Sequence, residues 1–156
     1  MIERFGGAVE KFIGDAVVGL FGVPLAHEDD AERAVRAALE ILKHIGEVPP
    51  AGVERLRLRA GVETGPALVR FRVVPLSGES ILAGDAVNTA ARLLTGAPPM
   101  SVVVGAGTHR LTRRVIAYER LPEVEAKGKA NRLERWMATE LVSRRAMSKS
   151  AGTPHR

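Results

Sequence analysis

The stretch Ala8-Val9-Glu10-Lys11-Phe12-Ile13-Gly14-Asp15-Ala16-Val17-Val18-Gly19-Leu20-Phe21 sets two apolar-rich runs on either side of Gly14-Asp15. A Gly-Asp pair between two such runs predicts a tight β-hairpin. Gly22 and Pro24 then end the second strand. Ahead of the hairpin, residues 1–7 read as the end of a helix closed by Gly6-Gly7. After it, Val35, Ala38, Leu39, Leu42 and Ile45 recur at helical spacing and predict a helix from Asp29 to Ile45 with one apolar face. Asp29 with Glu32 three residues on has the form of a capping box. Gly46 and Pro49-Pro50 stop this helix.

Further along, Leu56 to Val62 alternates and then turns apolar, as a strand does. Gly65-Pro66 turns the chain into a second strand, Ala67 to Val74, and Pro75 to Ser80 is a loop. A helix is expected from Asp85 to Leu94 and a short buried strand from Ser101 to Val104. A short helix over Thr108–Arg113 and a strand over Val115–Leu121 follow, with Arg132–Leu141 as the last strand and Trp136 in the core. Strand hairpins alternating with helices predict an α+β fold, a ferredoxin-like βαββαβ-type sheet with helices on one face.

Composition narrows the class. With 46% hydrophobic and 26% charged residues, the 156-residue chain has the make-up of one globular domain. Aromatics are 4%, so the core must be built from Val, Leu, Ile and Ala. The absence of Cys rules out disulfides, thiolate metal sites and Cys nucleophiles, and fits a cytoplasmic protein. The longest largely apolar stretch, Ala16 to Ala26, falls short of the roughly 20 residues of a membrane span, so none is expected. The first five residues lack the form of a signal peptide. A net charge of +5 suggests a polyanionic partner. Arg144, Arg145, Lys149 and Arg156 carry much of it in residues 143–156, which read as a basic disordered tail behind a domain of residues 1–142.

Three segments carry chemistry. Lys11-Phe12-Ile13-Gly14-Asp15 places a cation and an acid around the predicted turn. Gly84-Asp85-Ala86-Val87-Asn88-Thr89-Ala90-Ala91-Arg92 puts Asn88 and Arg92 four apart, on one helix face. Lys127-Gly128-Lys129 sets two amines before the last strand. One carboxylate, one amide, one guanidinium and several ammonium groups suit a metal-bound polyphosphate.

In this order, together with the Phe21-Gly22 pair and the Glu28-Asp29-Asp30-Ala31-Glu32-Arg33-Ala34 helix start, these segments resemble the class III adenylate and guanylate cyclase catalytic domain over residues 1–139. The resemblance is to the bacterial adenylate cyclase branch. It implies that Asp15 binds metal, Lys11 reads the purine, Asn88 orients the ribose, Arg92 stabilises charge on the α-phosphate and Lys127 meets the terminal phosphates. It also implies a homodimer with Asp15 from one protomer and the other four from its partner. Two divalent ions, Mg²⁺ or Mn²⁺, and ATP as substrate complete the expectation.

The sequence departs from that family in two places. The family's first metal aspartate lies on an N-terminal strand, and this sequence starts beyond it. Asp29, Asp30 and Asp85 start helices and are poor replacements. The expectation is therefore a cyclase domain lacking its first strand, nearly inactive as it stands. Ile81 occupies the place where the family has Asp or Thr beside the purine lysine, which predicts only a modest preference for ATP. The alternative function is an impaired cyclase-homology module that binds nucleotide or only dimerises. A nucleic-acid partner is not expected, because the exposed aromatics and aromatic-basic consensus of an RNA-binding sheet are absent.

Overall fold

The computed structural model describes residues 1–48, 54–69, 82–83, 85–126 and 131–142. The expected hairpin is present: β1 (Ala8–Ile13) pairs antiparallel with β2 (Ala16–Leu20), with Phe12 opposite Val17. Gly14 sits at its tip with φ +58°, in the left-handed region where a side chain would be strained. The expected helix end at residues 1–7 is a single 3-10 turn, Glu3–Phe5, capped at Gly6.

Helix α1 spans Asp30–Glu47 and buries Val35, Ala37, Ala38 and Leu42. The capping box does not form: Asp29 precedes the helix without a side-chain capping bond. Its carboxylate lies 3.1 Å from the Arg33 guanidinium, which also bonds Asp30 at 2.7 Å, and Glu32 pairs with Arg36 at 2.7 Å. Arginines one turn on thus pair with these carboxylates, and the other oxygen of Asp30 accepts the His27 backbone N–H at 2.6 Å.

Strand β3 is Arg59–Val62, starting three residues later than Leu56. Of the strand expected over 67–74, the described part is β4 (Leu68–Val69), antiparallel to β5 (Leu82–Ala83). Helix α2 (Ala86–Leu93), strand β6 (Ser101–Gly105) and helix α3 (Ala106–Thr112) follow. Strands β7 (Ile116–Glu125) and β8 (Arg132–Leu141) close the chain's described part. β7 runs past the expected end at Leu121 and through Pro122. A ladder irregularity between Leu121 and Val124 absorbs the proline, and β7 is an edge strand, where Pro is tolerated.

The main sheet has the order β3-β6-β8-β7, with β3 parallel to β6 and the other neighbours antiparallel. Every residue of β6 is buried. A continuous Val run suits a strand covered on both faces. Its period of two divides the core. Val102 and Val104 pack with Val35, Ala38 and Leu42 of α1, and with Ile116 and Ala138. Val103 packs with Leu93 and Ala97 at the end of α2. The α+β class holds, but the helices are divided: α1 and α3 share one face, whereas α2 lies on the opposite face. A helix wheel gives each helix an apolar stripe without saying which side of the sheet it meets.

Gly61 of β3 sets how closely α2 can approach. A Cβ at that position would collide with the Ala90 carbonyl and touch Leu94 at 3.4 Å. Gly61→Ala should therefore push α2 from the sheet and cost about 1–3 kcal/mol, as overpacking does. Urea unfolding measures this; a wild-type midpoint would show that α2 yields freely.

Candidate functional site

Helix α2 presents two different faces. Leu93 is fully buried and Ala90 lies over Gly61, which fixes the inner face. Asn88 and Arg92, one turn apart, open with Asp85 and Thr89 onto a cleft of about 220 Å³. Ala126, Asn131 and Leu133 of the β7–β8 hairpin form the opposite wall. That hairpin is closed by the Ala126 N–H, which donates to the Asn131 carbonyl at 2.9 Å. Asn88 is exposed and Arg92 half-buried, so both polar ends reach solvent inside a cleft that also has an apolar patch. Such a site can bind a polar, negatively charged small molecule, with Arg92 supplying a planar set of donors.

The predicted residues therefore divide into groups. The structure brings Asn88 and Arg92 together. Lys11 and Asp15 lie on the hairpin instead and do not line the cleft. Asp15 is exposed at the tip, and Lys11 is partly exposed, 3.7 Å from the Glu10 carboxylate. Phe12, next to Lys11, is 74% exposed, and Ile13 and Val17 are also exposed. Ile81 and Lys127 fall outside the described residues, as does the expected tail over 143–156. Sequence reasoning did not single out Thr89, Asn131 or Leu133. The i, i+1 neighbour of Asn88 and the alternation along β8 were the signals for them.

Among the described residues no group of three or more His, Asp and Glu side chains is placed to hold a metal ion. One exposed carboxylate at a hairpin tip does not make a two-ion site. The described residues of a single chain thus do not fit the expected pair of divalent ions.

The groups with shifted titration lie away from the cleft. Burial raises the Glu63 carboxyl, opposed by the Thr64 backbone N–H. Burial also raises Tyr118, whose hydroxyl bonds Thr112 Oγ1 at 2.6 Å. His109 of α3 stacks on Trp136 at 4.0 Å with the rings 2° from parallel, and meets the Tyr118 ring edge-on. Desolvation lowers its pKa from the ordinary 6.5; Arg113 adds to this, and Glu134 opposes it. None of these three groups lines the cleft.

The fold is an α+β sheet with one helix offering an amide and a guanidinium to a cleft. Residues 3–139 match the model of the adenylate and guanylate cyclase catalytic domain, and the chain belongs to that family. It is 35% identical over 119 residues to guanylate cyclase soluble subunit beta-2 of Rattus norvegicus, which covers 75% of this chain and 17% of that protein. It is 27% identical over 159 residues to adenylate cyclase 1 of Rhizobium meliloti, covering 98% of this chain and 24% of that protein. The chain thus spans about a quarter or less of these relatives. Among solved structures, the catalytic core of a rhodopsin-guanylyl cyclase with converted specificity, in complex with ATPalphaS, superposes with a TM-score of 0.77 at 28% identity. That match covers 90% of this chain and 74% of the other. Among the described residues, no helix is long and apolar enough to cross a membrane.

The depressed His109 fixes the sign of one pH effect. The unfolded chain takes up the imidazole proton first as pH falls through 6.5, so folding stability should be complete above that value. It should then decline toward the lower folded-state pKa. Urea unfolding from pH 7.5 to 5 should show this loss, and His109→Gln should shrink it. An unchanged pH slope in the variant would assign the effect to other groups.

Proposed function

We propose that this domain converts ATP to 3′,5′-cyclic AMP and pyrophosphate at a site shared by two copies of the chain, in a cytoplasmic signalling role. The observation that carries this is the projection of Asn88 and Arg92 from adjacent turns of α2 into one cleft. In the reaction the ribose 3′-oxygen attacks the α-phosphorus, and the bond to the pyrophosphate oxygen breaks. Negative charge builds on the α-phosphate oxygens as this happens. Arg92, held on a rigid helix, supplies preorganised positive charge there. Asn88 has an amide that can both donate to and accept from the ribose. Lys127 is proposed for the terminal phosphates.

Lys11 and Asp15 reach such a nucleotide only from the hairpin. A second copy is proposed to bring Asp15 to the cleft as one ligand of a shared Mg²⁺ or Mn²⁺ site. The exposed Phe12, Ile13 and Val17 around it support a face covered by another chain. That no group of three or more metal-binding side chains gathers among the described residues favours one second possibility, a cyclase-homology module that binds nucleotide without turnover. Nucleotide binding with no product formation would select it.

Measured in a chain extended with the family's N-terminal aspartate strand, Arg92→Ala should lower kcat on the order of 10²-fold or more with little change in KM, because its contact strengthens in the transition state. Arg92→Lys should rescue poorly, since an ammonium lacks the planar fork. Mixing Arg92→Ala chains with Asp15→Asn chains should restore activity if the site is shared, because one of the two sites in a mixed dimer is then intact. Near-normal kcat in the alanine variant would return Arg92 to a solvated helix face, and absence of rescue on mixing would refute the shared site.

Base choice rests on Lys11, a donor able to meet adenine N1 or guanine O6. Ile81 offers no side-chain acceptor for the adenine amino group, so water or a backbone carbonyl must serve. The related core solved in complex with ATPalphaS supports ATP as a ligand for this scaffold. The preference for ATP over GTP should be modest, below the roughly 10⁴-fold rejection of sites that leave polar groups unpaired. Ile81→Thr or Ile81→Asp should sharpen it if position 81 faces the base, read as kcat/KM for both nucleotides in the same extended chain; unchanged selectivity in both variants would remove Ile81 from the pocket. A wild-type preference for GTP would refute the adenylate assignment.

A further inference from the structure

The end of α2 is held by a side chain that none of the roles above includes. Arg135, in the middle of β8, is 5% exposed. It lies in register with Gly105 of β6 on one side and Leu121 of β7 on the other, so its backbone is paired to both neighbouring strands. Its side chain points to the α2 face. Nη1 donates to the Leu93 carbonyl at 2.7 Å and to the Thr95 carbonyl at 2.7 Å, and Nε donates to the Pro122 carbonyl at 2.7 Å.

Each of these acceptors is a backbone oxygen that the fold leaves available. Leu93 is the last residue of α2, whose final carbonyls have no partner further along the helix. Pro122 lies in the stretch of β7 where the ladder is interrupted. Among the described residues Arg135 makes no ion pair; its buried charge is met by three carbonyls and by the negative end of the α2 dipole. A guanidinium fits because its N–H groups fan out in one plane and reach two elements at once.

The geometry has a consequence for the cleft. Arg135 is two residues from Leu133 on the same face of β8, and Leu133 with Asn131 forms one wall. The carbonyl it grips belongs to Leu93, the residue after Arg92. The same side chain thus ties the wall strand to the helix that carries the opposing groups. We propose that Arg135 is a positioning residue of the nucleotide site: it locks the C-terminal end of α2 to β8 and so sets the placement of Asn88 and Arg92 across the cleft. The inference rests on the nucleotide function proposed above. Gly61 limits how near α2 comes to β3; Arg135 keeps it from drifting away along the other side.

The test compares the full chain with Arg135→Met and Arg135→Lys, well below the unfolding midpoint of each. Amide hydrogen exchange is followed in residues 89–95, in α1 and in β6. Affinity for a fluorescent methylanthraniloyl-ATP is measured alongside. In Arg135→Met, residues 89–95 should exchange at least about tenfold faster while α1 and β6 keep wild-type rates, since only the local anchor is lost. Nucleotide affinity should fall with it. Arg135→Lys should lie between, because an ammonium keeps the charge but cannot span both elements. If the methionine variant does not fold, the lysine variant decides by the same local exchange. Equal acceleration in all three segments, or unchanged exchange in 89–95, would overturn the clamp. Local loosening with wild-type affinity would overturn the positioning role. A wild-type chain that does not bind the nucleotide would instead count against the proposed function, and the exchange data would still judge the clamp.

Discussion

The structure depends on the close contact between a helix and a bare backbone. The Ala90 carbonyl of α2 occupies the space that a side chain at position 61 would fill. This seats α2 on the face opposite α1 and lets Leu93 and Ala97 reach Val103. With Leu93 buried and Ala90 turned inward, the rotation of α2 is fixed, and Asn88 and Arg92 must face the β7–β8 hairpin. The cleft is thus a consequence of core packing. No exposed interaction is needed to orient its polar groups, which suits a site that must be rigid before its ligand arrives.

Much of the architecture was legible because it follows from periodicity. The Gly14-Asp15 hairpin, the apolar stripe of α1 and the all-buried Val102-Val103-Val104 run are local patterns that survive folding. The division of helices between the two faces was not legible, because it depends on which strand each stripe meets. The capping box failed for a similar reason: Asp29 pairs with Arg33 and makes no capping bond, while Asp30 accepts both from Arg33 and from the His27 backbone N–H, and spacing alone does not show that division. β7 outran its expected end because Pro122 breaks a central strand but not an edge.

The candidate site was half legible. Asn88 and Arg92 were visible from their spacing and from the family likeness. Their neighbours Asn131 and Leu133 were hidden, because they meet α2 only through the sheet. Arg135 was the least legible of all. In a strand that alternates with several charges, one arginine looks like the rest, and nothing local marks it as the one turned inward. The hairpin residues Lys11 and Asp15 were read correctly as a pair around a turn, yet the fold of a single chain sets them apart from the cleft. That separation is what gives the proposed shared site its physical motive: the cleft holds Asp85, Asn88 and Arg92, whereas Lys11 and Asp15 lie on a hairpin away from it.

The proposed role of Arg92 requires the α-phosphate of a bound nucleotide to lie beside it. A crystal structure with 3′-deoxy-ATP, which lacks the attacking oxygen and cannot cyclise, tests this directly. The triphosphate should lie in the cleft between α2 and the β7–β8 hairpin, with the Arg92 guanidinium donating to an α-phosphate oxygen at about 2.7–3.2 Å. A nucleotide bound elsewhere, or one in the cleft with its α-phosphate beyond reach of Arg92, would contradict that role.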